Sequence, residues 1–231
     1  MTDVLMTNTL KAWRFLYRRG FIEGFGHISA RLPNSDHFMI TRHSLAMNAT
    51  ADDFLVFDLD GRKLHGAGEP PGEYPIHLDI LRERPDVGSV IHYHGMHSTA
   101  FTTSGQTLRA IHLMGTLFHD GIPIYPDPKL VSNRERGRAL AKALGPHRAV
   151  LMRAHGAAVT GVSVEDAVAG AFLFEENARR ACISAALGAP AWLDERTSAD
   201  AGTELLASRG PFKRVWALVE SEDEEHMCKS L

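Results

Sequence analysis

Cysteine is nearly missing from this chain: Cys182 and Cys228 are the only two in 231 residues, and they form no C-x-x-C pattern. A disulfide framework is therefore not expected, and a reducing compartment, the cytoplasm, is. No stretch approaches the ~20 continuous apolar residues that a spanning helix needs, so no membrane contact is expected. The first residues, Met1 to Asn8, lack a basic segment followed by an apolar one, so no signal peptide is read there. Basic stripes are also missing, and the formal net charge is −3, which argues against nucleic acid as a partner. There is no internal repeat and no linker-like stretch. What remains is an ordinary globular composition, 44% hydrophobic and 23% charged, long enough for a substantial core. One domain over residues 1–231 is expected, with 191–231 as peripheral helices and an acidic tail.

Histidine, by contrast, is abundant, with 13 in the chain. Two of them form His92-Tyr93-His94 at the end of the apolar run Val87–Ile91. Side chains on a strand alternate faces, so both imidazoles project from one side. Imidazole is the commonest metal-ligating side chain, and such a strand end is a ready chelate. His155, at the end of the second apolar run Leu151-Met152-Arg153-Ala154, offers a third ring, and Glu73, after Pro70-Pro71-Gly72, offers a carboxylate. Three imidazoles and one carboxylate make a complete set for a borderline divalent ion.

The pattern predicts an amphipathic helix over residues 4–19, strands at 26–31, 37–41 and 54–57, and a helix at 73–84 with Pro75 in its first turn. A strand at 87–93 carries the first two histidines. Helices follow at 96–104 and 132–144, an extended segment at 122–125, and strands at 149–153 and 157–160. Ser163-Val-Glu-Asp166 reads as a capping box opening a long helix to about Leu187. One or two helices occupy 191–219, and Glu220–Glu225 reads as a solvated, frayed tail. Mixed strands and helices in this order argue for an α/β layered domain.

Several segments together resemble the class II aldolase/adducin head family. They are Gly24-Phe-Gly-His-Ile-Ser-Ala-Arg31, Phe38-Met-Ile-Thr41, Glu73-Tyr-Pro-Ile-His77, Arg84-Pro85-Asp86, Val90-Ile-His-Tyr-His-Gly95 and Ala154-His-Gly156, spread over roughly residues 5–190. The resemblance implies an αβα sandwich with a central, largely antiparallel sheet. It also implies a homotetramer, and one divalent ion per subunit held by Glu73, His92, His94 and His155. Zinc is the first expectation, and iron(II), manganese or cobalt suit the same donors. In the resembling aldolases the ligating Glu also serves as acid/base, which gives Glu73 that role here.

The chain departs from the sugar-phosphate members where they grip phosphate. Gly26-His27-Ile28-Ser29 stands where they carry a Gly-Asn-x-Ser pattern. Thr41-Arg42-His43-Ser44 replaces Thr-Pro-x-Gly, and Pro71-Gly72 replaces a Ser-Ser. Leu113, after Ile111-His112, stands where an aldolase tyrosine is expected. The replacements are basic. Arg42 offers a planar fork suited to a carboxylate, and His27 and His43 can donate or shuttle a proton. The G-H-I-S-x-R motif is similar to the decarboxylase branch of the family, which acts on small hydroxylated aromatic or enol acids. The reading is a metal-dependent lyase that decarboxylates such an acid. Glu73, His27 and Arg42 are catalytic, and His27, Arg42, His43, Ser44 and Tyr125 contact the substrate. His112 is a further residue that could line the pocket, although a structural role is favoured for it and for Tyr125. The alternatives are a retro-aldolase or epimerase, a dehydratase, and a non-catalytic adducin-like interaction module. The fold alone does not choose among them.

Overall fold

The computed structural model describes residues 2–229, with side chains placed for residues 3–225. Cys228 lies outside those side chains. Helix α1 (Thr2–Arg18) is followed by strands β1 (His27–Arg31), β2 (His37–Thr41), β3 (Phe54–Asp58) and β4 (Lys63–His65). Then come α2 (Tyr74–Glu83), β5 (Ser89–Tyr93), α3 (Met96–Ser104), β6 (Ile124–Tyr125), α4 (Arg134–Leu144), β7 (Ala149–Met152) and β8 (Gly156–Gly161). Three helices close the chain: α5 (Val164–Leu187), α6 (Glu195–Ser208) and α7 (Gly210–Lys229).

The strands form one eight-stranded sheet in the order β4-β3-β2-β1-β5-β8-β7-β6. Every pairing is antiparallel except β6 with β7. Alternation along the strands sorts the apolar residues into two cores. Ile28, Met39, Ile91, Leu151 and Val159 face a core shared with α1, α5 and α7. Phe38, Ile40, Val90, Val150 and Ala158 face one shared with α2 and α4. Sheet and helices thus make three layers, αβα. No helix among the described residues is long and apolar enough to cross a membrane.

Predicted elements and observed ones agree to within a few residues, with two differences. Strand β4, Lys-Leu-His, is exposed throughout, so no buried alternation marks it in the sequence. The acidic stretch Glu220–Glu225, expected as a frayed tail, is instead part of α7. There Asp223 accepts a bidentate pair from Arg14 at 2.6 and 2.9 Å, Glu222 pairs with Arg18 and Arg19, and Glu220 with Lys11. A basic face of α1 organises the acidic end of α7. The capping box is half realised. Ser163 Oγ accepts from the Asp166 N–H, but the Asp166 carboxylate turns to the Val162 N–H, Arg148 and Arg209.

Candidate metal centre and its cavity

Period-two alternation turns Val90 and His92 toward the α2 side of the sheet and Ile91 and Tyr93 toward the other. In the register of β1 with β5, His27 lies opposite His92. His94 follows immediately beyond the strand and is exposed. His155 sits on the tight turn between β7 and β8, where Ala154 adopts φ +51°. That turn closes against the end of β5 because residue 156 is glycine: a Cβ there would stand 2.4 Å from the Tyr93 carbonyl oxygen. Glu73 is the N-cap of α2, with Pro75 in the first turn behind it. Three distant segments thereby deliver Glu73, His92, His94 and His155 to one point, with a ligand-type atom of each within 4.8 Å of the others.

The donor set fits a divalent ion. His92 Nε2 lies 3.2 Å from His94 Nε2 and 3.6 Å from Glu73 Oε2, and His155 Nε2 is 3.3 Å from the same oxygen. These are separations of neighbouring donors around one small cation, for which a tetrahedral edge is roughly 3.4 Å. The outer atoms are pinned. His92 Nδ1 bonds the Ala157 carbonyl at 3.0 Å, and Glu73 Oε1 accepts the Val131 N–H at 2.8 Å. Such outer partners fix the ring tautomer and turn the remaining atom inward. Both nitrogens of His155 are buried with no well-aligned hydrogen-bond partner among the described residues, and coordination through Nε2 would relieve one of them.

Burial pushes the Glu73 carboxyl up, but His155 and His92 beside it, with the Val131 N–H, outweigh that and hold it at about 2. It is a carboxylate at neutral pH. Burial, reinforced by neighbouring imidazoles, holds His27, His77 and His92 well below the ordinary 6.5. An unfolded chain takes up these protons first, so stability is full above about 6.5 and falls with pH beneath it. We expect the urea midpoint of the metal-free protein to drop between pH 6.5 and 5. A flat profile over that interval would mean the rings protonate in place.

A cavity of about 320 Å³ opens beside the cluster. Its polar wall includes His27, Arg42, His43, Ser44, Glu73, His94 and His155. Its apolar wall includes Trp13, Ile22, Phe25, Leu45 and Leu130. Phe25, 68% exposed, stacks on the His94 ring at 5.6 Å. Arg42 Nε donates to Asp53 at 2.6 Å, and its terminal nitrogens have no hydrogen-bond partner among the described residues. His43 Nδ1 and Ser44 Oγ are 2.7 Å apart.

Tyr125 does not line this cavity; it is buried in the core between the sheet and α4. His112 is also elsewhere, with its ring at Asn177. Residues not singled out in the sequence complete the site: Trp13, Phe25, Leu130, Asp53 behind Arg42, and His77 and Ser29 behind His27. His77 was within reach of sequence reasoning. It lies four residues after Glu73 on one helix, a spacing that stacks side chains on one face.

An αβα fold that gathers a carboxylate and three imidazoles at the end of its central strand, under an open cavity, is the framework of a class II aldolase-type lyase. The match to known proteins makes this specific. Residues 8–182 match the Class II Aldolase and Adducin N-terminal domain, and the chain belongs to that family. It is 36% identical over 172 residues to the 3,4-dihydroxyphthalate decarboxylase of Arthrobacter keyseri, covering 68% of this chain and 69% of that one. To the L-fuculose phosphate aldolase of Escherichia coli K12 it is 30% identical over 145 residues, covering 62% and 66%. The fold matches the L-fuculose 1-phosphate aldolase of Glaciozyma antarctica, with a TM-score of 0.83 at 23% identity, over 96% of this chain and 90% of that one.

Proposed function

We propose that this lyase is metal-dependent and decarboxylates a small hydroxylated aromatic diacid of the dihydroxyphthalate kind. The observation that carries the reading is that Arg42 and His27 border the same cavity as the four-ligand cluster. The greater identity to a dihydroxyphthalate decarboxylase than to a fuculose phosphate aldolase supports it.

Asp53 holds Arg42 by its Nε, which leaves the two terminal nitrogens as a fork for a carboxylate. Trp13, Ile22 and Leu45 offer apolar surface to a flat ring and keep that side dry. Glu73, His92, His94 and His155 would hold a divalent ion, zinc being the first expectation. Such an ion supplies a Lewis acid beside the electron pair left when carbon dioxide departs. The ring carbon then takes up one proton, so that R–CO₂⁻ and H⁺ give R–H and CO₂. Glu73, ionised and facing two imidazoles, has no proton to give in the resting site. His43, on the open side of the cavity, is the residue we assign to proton delivery.

The test follows carbon dioxide and aldehyde together. Metal-reconstituted protein is incubated with ortho-dihydroxy aromatic diacids and with sugar phosphates. Metal-dependent carbon dioxide from an aromatic diacid is expected, and aldehyde from a sugar phosphate would overturn the reading. Arg42→Ala should raise KM about 10- to 100-fold, the worth of a charge-assisted pair, with metal content unchanged. The expected assembly is a homotetramer, checked by sedimentation.

A further inference from the structure

Behind His27, away from the cavity, lies a short buried chain of polar groups. His27 Nδ1 is 2.6 Å from His77 Nε2, and His77 Nδ1 is 2.7 Å from Ser29 Oγ. His77 and Ser29 are fully buried. Ser29 and His27 share the α2-facing side of β1, and α2 brings His77 over them. The backbone helps to fix this arrangement. Gly26 holds φ +101°, and a Cβ there would stand 2.8 Å from the His92 carbonyl oxygen, so β1 can enter beside β5 only with glycine at its start.

The chain has a direction. Ser29 Oγ has no hydrogen-bond partner other than His77 among the described residues. A buried hydroxyl that accepted from His77 would leave its own hydrogen unpaired, and a buried unpaired donor is costly. Ser29 therefore donates to His77 Nδ1. A neutral imidazole with one accepting nitrogen carries its hydrogen on the other, so His77 Nε2 donates to His27 Nδ1. His27 must then carry its hydrogen on Nε2, the nitrogen left for the cavity it lines.

We propose that Ser29 and His77 are positioning residues that lock His27 in the Nε2–H tautomer, so that it meets the substrate as a hydrogen-bond donor and not as a base. No change of charge is involved at any step. The partner this suits is an anionic oxygen, a carboxylate or a phenolate, next to the fork of Arg42. The inference deepens the proposed function and rests on it for the identity of that oxygen, but the tautomer itself can be read without any reaction.

Neutron diffraction from deuterium-exchanged crystals of the zinc-loaded protein shows the hydrogens directly. Deuterium is expected on Nε2 of both His27 and His77, with the Ser29 deuteroxyl aimed at His77. Deuterium on His27 Nδ1 overturns the proposal, whatever the substrate proves to be. Kinetics supply the second arm. His77→Gln keeps an N–H donor toward His27 and an acceptor for Ser29, so kcat/KM should stay within about threefold. His77→Leu removes both and should lower kcat/KM about tenfold at equal metal content and melting temperature, the scale of one lost hydrogen bond. Equal loss in the two variants overturns the positioning role. If the wild type turns over no aromatic diacid, the proposed function fails while the deuterium positions still decide this inference.

Discussion

His92→Ala is expected to abolish stoichiometric metal and lower kcat by about a thousandfold or more, while the protein remains folded. His92 is the hub of the cluster. Its Nε2 faces both His94 and Glu73, and its ring packs 5.2 Å from that of His155. It is fully buried and held from behind by the Ala157 carbonyl. In the proposed reaction, losing an inner ligand would remove the Lewis acid and with it most of the stabilisation of developing charge, commonly several kcal/mol. The fold should survive, because the truncated ring leaves a cavity worth ~2–4 kcal/mol in a core otherwise intact. Metal content by elemental analysis and single-turnover rates check this. A His92→Ala protein that keeps one tightly held ion per chain, or full activity, would sink the assignment. Chelation of the wild type should reproduce the loss, and re-addition of zinc should restore it.

Asp166→Ala should destabilise the protein by about 3–5 kcal/mol without touching the cavity. Asp166 is fully buried at the start of α5 and binds Arg148 at 3.0 Å and Arg209, while also accepting from the Val162 N–H. Both guanidiniums also lie over the Phe212 ring, at 5.1 and 4.1 Å. One carboxylate therefore joins the edge of β7, the start of α5 and the α6–α7 corner. Removing it leaves two cations facing each other, Arg148 mostly shielded from water and Arg209 partly exposed. Denaturant unfolding with unchanged metal affinity is the expected result. A change under 1 kcal/mol would show that solvent reaches these arginines.

The Glu/His cluster is legible in the sequence where local geometry decides it. His92-x-His94 at a strand end can only be two rings on one side, and the Glu73 carboxylate stands at a proline-marked helix start. His155 is less legible from its neighbours alone. It reaches the site because Ala154 takes a left-handed conformation and Gly156 lets the turn press on Tyr93, and neither is written in a periodic pattern. Tyr125 shows the limit of this reasoning. It ends an extended segment near His155 in the sheet, yet alternation sends its ring into the core under α4. The acidic run of α7 reads as a solvated tail for a related reason. Its cationic partners lie on α1, 209 residues away in the case of Arg14 and Asp223, and a charge run considered alone reads as solvated. The spacing from Glu73 marks His77, but its pairing with Ser29 is not written in the sequence, because the contact of α2 with β1 is a packing fact.

The central pairing of β5 with β8 also governs time. His92 and the carbonyl that orients it are 65 residues apart in the chain, and the donors become neighbours only once the middle of the sheet is closed. Loop closure of that length must precede any reward from a bound ion, so an ion held there would not guide the early search. The free energy of an ion held there would then appear mainly in the unfolding rate. Loaded protein would then refold no faster than the metal-free chain and would persist far longer before opening.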